Sequence, residues 1–419
     1  MPDMDAGSRR IFLHVGLYKT GTTFLQNLWR ANRGRLAQQG VYYPGGRDGP
    51  VQIFAVSDLF GRRPRGGEDR IEGRWDELTE AVGASPHPVT LISDESLSLA
   101  TVGEARRAAA GFTDREVHVV VTVRDLGRAL VSSWQESVKS DETWTWQDFV
   151  DRVRDPAVRN QFPARSFWIR QDLTAVLESW QAAVPRERIH VVTVPPPGAP
   201  KDLLVERVGE VVGYDAANLT ETPTSESWDN RAMAAADAEV LRRFNQILDH
   251  RLNERQYHRI VKRILAPRLA QHGNPGRVGL SPDDRAWVAV EARRIVDDLT
   301  AGGYQVVGDV SDLIPAESQT GPRPDAATTD EKLDAALHGL AELAEEYATL
   351  WWDGSGARPD SSRSADRRGG GWRSRIRATR FRTKRGLLSL ADRSRVAAGA
   401  LNGYVRLREA RRRRAASRS

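Results

Sequence analysis

Ile11-Phe12-Leu13-His14-Val15-Gly16-Leu17-Tyr18-Lys19-Thr20-Gly21-Thr22-Thr23-Phe24-Leu25-Gln26 carries the strongest signal in this chain. The stretch reads as a buried strand, a tight Gly/Lys/Thr turn, and the first turn of a helix. Such a turn aims several backbone N–H groups and a helix N-terminus at one point, which suits a phosphate or sulfate. Lys19 adds a mobile positive charge, and the hydroxyls of Thr20, Thr22 and Thr23 add donors.

The separation of Gly16 and Gly21 matches the nucleoside-triphosphate pattern Gly-x-x-x-x-Gly-Lys-Ser/Thr, but Thr22 stands where that pattern has its lysine. The lysine lies earlier, at Lys19, nearer the bridge of a shorter anhydride. A second block, Val117-His118-Val119-Val120-Val121-Thr122-Val123-Arg124-Asp125, reads as a buried parallel strand. Arg124 leaves its C-terminal end, where open α/β sheets bind ligands. Ser132 follows eight residues later, about two helical turns along.

At these residues the chain resembles the sulfotransferases that use 3′-phosphoadenosine 5′-phosphosulfate (PAPS). Their 5′-phosphosulfate loop, Lys-Ser/Thr-Gly-Thr-Thr, is matched by Lys19 to Thr23. The bacterial form His-x-Gly-x-x-Lys-Thr-Gly-Thr-Thr-x-Leu-Gln is matched by His14 to Gln26. Their 3′-phosphate site, a strand-end arginine and a serine eight residues on, falls on Arg124 and Ser132. The resemblance covers roughly residues 9–315, with these two motifs its sharp part. It implies an α/β fold of the P-loop-like kind, a parallel β-sheet flanked by helices. It also implies PAPS as co-substrate, no metal, and donor binding by Lys19, Thr20, Gly21, Thr22 and Thr23. Phe24 matches a position where an aromatic ring contacts the adenine; a buried aromatic on the helix is the other reading. The family's late glycine-rich loop is not recognisable here; Arg231, in Ser227-Trp228-Asp229-Asn230-Arg231, is the candidate to replace it.

Lys19 and Glu95 are the expected catalytic residues. Glu95 lies in Leu91-Ile92-Ser93-Asp94-Glu95-Ser96-Leu97, just after a predicted strand. In cytosolic members of the family a histidine base occupies this place. The bland alternative is that Glu95 caps or pairs at a helix start, as Asp94 and Ser93 can. His14 is expected to be a satisfied core histidine. Trp134, Trp144 and Trp146 suit a sugar-stacking platform, but core packing is the commoner use. Gln135 and Lys139 either face the acceptor or form a solvated helix face.

Alternation of strands (Arg10–Gly16, Val89–Ser93, Val117–Val123, Arg188–Val194) with helical stretches predicts a parallel sheet covered by helices. Helices are expected at Thr22–Gln38, Trp75–Val82, Trp144–Val153, Asp172–Ala183, 201–213, 231–265 and Pro282–Ala301, with Gly40–Pro44 a short edge segment. Gly45–Gly73 reads as a Gly/Arg/Pro-rich loop or lid; it and Ser140–Gln161 are the segments expected to choose the acceptor. A catalytic body over 1–315 is followed by a linker (316–330), a helix (331–353), a flexible linker (354–371) and a basic, partly amphipathic tail (372–419).

The chain has no cysteine, which excludes disulfides, thiolate nucleophiles and Cys-ligated metals. Met1–Arg10 lacks the apolar core of a signal peptide, and no run approaches the ~18 apolar residues of a membrane span. A cytoplasmic enzyme is expected, its tail reaching the inner face of the membrane. From Ala357 onward, 20 Lys and Arg against four acids make +16 of a chain whose total is +6, leaving the first 356 residues at −10. Trp372, Phe381, Leu387 and Leu388 interleave with the tail's arginines. That mixture points to an anionic membrane surface more than to nucleic acid; a solvated, partly disordered extension is the third reading.

The expected function is transfer of a sulfuryl group from PAPS to a hydroxyl of a carbohydrate, glycolipid or other metabolite. Two other classes stay open. An ATP- or GTP-dependent phosphotransferase would need magnesium and a strand-end carboxylate, for which Asp94 is the candidate. A non-catalytic nucleotide-binding protein would recruit partners through the tail.

Overall fold

A computed structural model describes residues 9–46, 51–62, 71–200, 202–221, 232–272, 279–315 and 323–354. The expectations placed on Arg231, on the linkers at 316–322 and 355–371 and on the tail at 372–419 lie outside the described residues.

The first half alternates strands and helices. It runs β1 (Arg10–Gly16), α1 (Thr22–Ala31), α2 (Arg33–Gln38), β2 (Val41–Tyr42), α3 (Gln52–Leu59), α4 (Arg74–Ala84), β3 (Val89–Ser93), α5 (Val102–Ala110) and β4 (Glu116–Val123). Helices α6 (Leu126–Val138), α7 (Trp146–Arg154), α8 (Ala164–Gln171) and α9 (Leu173–Gln181) lead to β5 (Ile189–Thr193). Then come α10 (Leu203–Val212), α11 (Ala235–Leu248), α12 (Glu254–Tyr257), α13 (Ala266–His272), α14 (Pro282–Gly302), β6 (Gln305–Val307) and α15 (Thr329–Gly354).

The six strands form one parallel sheet in the order β2-β3-β1-β4-β5-β6, the α/β architecture expected from the sequence. Period-2 alternation sorts its side chains. Ile11, Leu13 and Val15 pack on one face against α4, α5, α9 and α14. Phe12 joins Leu91 and Val120 on the other, against α1, α2 and α10. A third core is helical, built from α6, α7, α8, α11 and α13. Trp134 and Trp146 are fully buried in it, edge to face at 5.8 Å, so two of the three tryptophans are core rather than platform.

The chain leaves β1 to form β2 and β3 on one side, then crosses β1 to form β4 on the other. That reversal falls at the carboxyl ends of β1 and β4, the usual ligand position in such sheets.

Several expected elements differ in extent. The helix expected over Thr22–Gln38 breaks at Asn32, whose buried side chain donates to Leu28 O and Glu221 O and accepts from Glu221 N. Within the expected loop Gly45–Gly73 lies α3, whose Ala55 and Val56 enter the core; Gln52 ties it to the end of β3 by accepting from Ser93 N at 2.7 Å. The helix expected over 231–265 ends at Leu248, where Asp249 and His250 take left-handed backbone. The chain resumes as α12 and a π-helical segment, His258–Leu265. Among the described residues no helix is long and apolar enough to cross a membrane.

Candidate active site at the carboxyl edge of the sheet

The loop Leu17–Gly21 is built by its own polar atoms. A β-bulge shifts the β1–β4 register between His14 and Gly16, and Leu17 N donates to Thr122 O at 2.6 Å. The bulge bends the strand into the loop. Thr20 Oγ1 donates to Leu17 O and lies 2.7 Å from Thr122 Oγ1. A hydroxyl has one proton, so Thr122 donates to Thr20 and accepts from His14 Nε2, 3.1 Å away. His14 Nδ1 then accepts from Ser93 Oγ at 2.8 Å. This neutral tautomer is fully buried, and burial pulls its pKa down to about 3. His14 is therefore the satisfied core histidine expected, joining the loop to β3 and β4. Gln26 adds a bond from Nε2 to Ser93 O at 3.0 Å.

These bonds change what the threonines offer. Thr20 and Thr22 are buried, and both hydroxyls donate to Leu17 O. Their side chains therefore shape the loop. Thr23 is exposed at the first turn of α1. Lys19 and Gly21 both have positive φ, 65° and 90°. For a lysine that conformation stores strain, a feature common at ligand clamps. Gln171 Nε2 donates to Tyr18 O at 2.9 Å and Arg124 Nη1 to Lys19 O at 2.8 Å, holding the loop from two sides.

Lys19, Arg124 and Glu95 thus stand at the carboxyl ends of β1, β4 and β3, three adjacent strands. Arg124 is partly buried, and among the described residues its Nε has no hydrogen-bond partner. Burial, reinforced by Arg128, lowers its pKa to about 10; an anion would relieve both effects. Ser132 lies half-buried on α6, within the second turn after Asp125, which caps that helix. Phe24 is half-buried against the α1–α10 core.

Glu95 opens a 3₁₀ turn, Glu95–Leu99. The capping role falls to Asp94, which accepts from Ser96 N at 2.8 Å. None of the described residues hydrogen-bonds the Glu95 carboxylate. Burial raises its pKa to about 7 against the pull of Lys19, with Asp94 and Glu136 adding to the rise. Gly16 makes room for it: a Cβ there would lie 3.3 Å from Glu95 Cβ, at a φ of +89°.

Sequence reasoning missed Glu136. Its carboxylate bridges Lys19 Nζ and Lys262 Nζ, each at 2.8 Å. Burial would raise its pKa, but Lys19 and Lys262 overcome burial and hold it near 2. Two carboxylates near Lys19 therefore differ in character, Glu95 proton-seeking and Glu136 a fixed anion. Glu136 sits one turn after Ser132 on α6, so i,i+4 spacing was its only signal in the sequence. Lys262 comes from the π-helical segment, a conformation frequent at functional sites, and nothing local predicted it. Gln135 is buried, exchanging bonds with the Met233 backbone. Lys139 is the C-cap of α6, with its pKa lowered by burial against the pull of Glu136.

No family model and no curated protein matches the chain. Among solved structures, a sulfotransferase from Alicyclobacillus acidocaldarius is similar at 15% identity with a TM-score of 0.35, over 52% of this chain and 88% of that one. Likeness of that degree assigns no activity, and the function is argued from this chain's own residues.

Proposed function

We propose that this chain is a PAPS-dependent sulfotransferase acting on a hydroxyl of a carbohydrate, glycolipid or other metabolite. The observation that carries the proposal is the convergence of Lys19, Arg124 and Glu95 at the carboxyl ends of β1, β4 and β3, with Arg124 bonded to the backbone of Lys19. Backbone N–H groups of Lys19 to Thr23 would hold the 5′-phosphosulfate. Arg124, through its unpartnered Nε, and Ser132 would take the 3′-phosphate. Phe24 would meet the adenine.

The chemistry is in-line displacement. The acceptor oxygen bonds to sulfur as the sulfur–oxygen bond to the 5′-phosphate breaks. Glu95 receives the acceptor's proton. A carboxylate pushed up to about 7 is a stronger base than an ordinary one, yet about half of it is ionised at neutral pH. Negative charge collects on the departing phosphate, where Lys19 stabilises it. To do so, Lys19 leaves Glu136, whose charge Lys262 continues to balance. Activity should rise with pH through about 7 as Glu95 ionises.

The test is transfer of radiolabelled sulfuryl from PAPS to a panel of hydroxyl acceptors. Wild type should yield labelled product and 3′,5′-adenosine bisphosphate, and Glu95→Gln should lose about 10²–10⁴ of the rate. Phosphorylation of an acceptor from ATP–magnesium, with no sulfuryl transfer, would assign the chain to the phosphotransferases instead.

A further inference from the structure

Helix α15 (Thr329–Gly354) shows two faces of different character. Its inner face is fastened to the helical core: Ala335 is buried, Glu342 and Glu346 pair with Arg268, and Gly339 leaves its Cβ position 3.2–3.3 Å from Leu269 and Leu265. On the opposite face Leu333, Leu337, Leu340 and Tyr347 are 57%, 57%, 64% and 69% exposed. With Ala344 these residues are spaced 4, 3, 4 and 3 apart, the alternation of a helix-pairing seam.

We propose that this face pairs with α15 of a second copy of the chain. Three observations favour an identical partner. The seam's spacing is its own complement, since an identical helix offers the same alternation. Helices that pair with a different partner are sorted by charges flanking the seam. Here the flanks read Asp334, Ala336, Ala341, Leu343 and Ala348, with one charge among them, so nothing opposes self-pairing. Area agrees as well. Each leucine offers roughly 100 Å² and Tyr347 about 150 Å². Two copies with their alanine flanks then bury on the order of 1,000 Å², the threshold for a specific interface and a weak one.

Sedimentation velocity on the full chain, over a concentration series reaching tens of micromolar, tests this. Wild type should shift from monomer to dimer, and Leu340→Glu should stay monomeric, with an unchanged thermal melt at the dilutions where wild type is itself monomeric, its site being exposed. The chain's lack of cysteine allows a second test that does not depend on a charged variant. Leu340→Cys should form an intermolecular disulfide under mild oxidation, whereas Glu345→Cys, off the seam, should not. A wild type that stays monomeric throughout, a dimer that survives Leu340→Glu, or equal cross-linking at both cysteine positions would overturn the proposal.

Discussion

Replacing Glu95 by Gln should stabilise the protein at high pH while disabling it. Burial raises the Glu95 carboxyl from its ordinary 4.5 to about 7. Below pH 4.5 the folded and unfolded chains are both protonated there, and the site costs nothing. Between 4.5 and 7 the unfolded chain ionises while the folded chain does not, so stability falls. Above about 7 the penalty is complete, on the order of 3 kcal/mol. The glutamine amide brings its own burial cost of about 1–3 kcal/mol, but that cost does not change with pH. The diagnostic is therefore the stability difference, Glu95→Gln minus wild type, which should grow by about 3 kcal/mol from pH 4 to pH 8. Urea titrations of both proteins at the two pH values measure it. A difference that stays flat, or that grows as pH falls, would refute the claim that this carboxylate is held against its own charge. Such a held carboxylate is what a proton acceptor in a dry site requires.

Other perturbations separate the scaffold from the chemistry. Gly16→Ala forces a side chain onto positive φ and against Glu95; it should cost about 1–3 kcal/mol and lower kcat while nucleotide binding persists, and normal turnover would contradict the close packing. Asn32→Ala removes the bonds to Leu28 and Glu221 and should lower stability by about 2 kcal/mol; an unmoved urea midpoint would count against its role in ending α1. Glu136→Gln releases Lys19 from a competing anion, so 3′,5′-adenosine bisphosphate should bind roughly tenfold tighter, about 1.4 kcal/mol. Weaker binding there would mean that Glu136 orders Lys19 for the ligand rather than competing with it.

The strands were readable because the residues that form them leave little choice. Ile11 to Gly16 and Val89 to Ser93 are apolar runs stopped by polar residues or glycine, and the structure begins and ends them within a residue of expectation. Helix α3 was hidden because its Gln52–Leu59 run sits inside Gly- and Arg-rich flanks that read as loop. β6 has three residues and exists by pairing with β5 at the sheet edge, so no local period announces it. At the site, Lys19, Glu95 and Arg124 follow strands directly and were legible as strand-end residues. Lys262 was not, because its approach to Glu136 depends on how the π-helical segment packs against α6. The hydroxyls of Thr20 and Thr22 looked like ligand donors in sequence, yet Leu17 O takes both. Only the fold decides between a ligand and the backbone as their partner.

Calorimetric titration of 3′,5′-adenosine bisphosphate without magnesium, into wild type, Lys19→Ala and Arg124→Ala, tests the proposed donor site most directly. Wild type should bind in the micromolar range, and each variant should lose at least tenfold, or about 1.4 kcal/mol. Absence of binding to wild type, with ATP–magnesium binding in its place, would contradict the assignment of Lys19 and Arg124 to the two ends of PAPS.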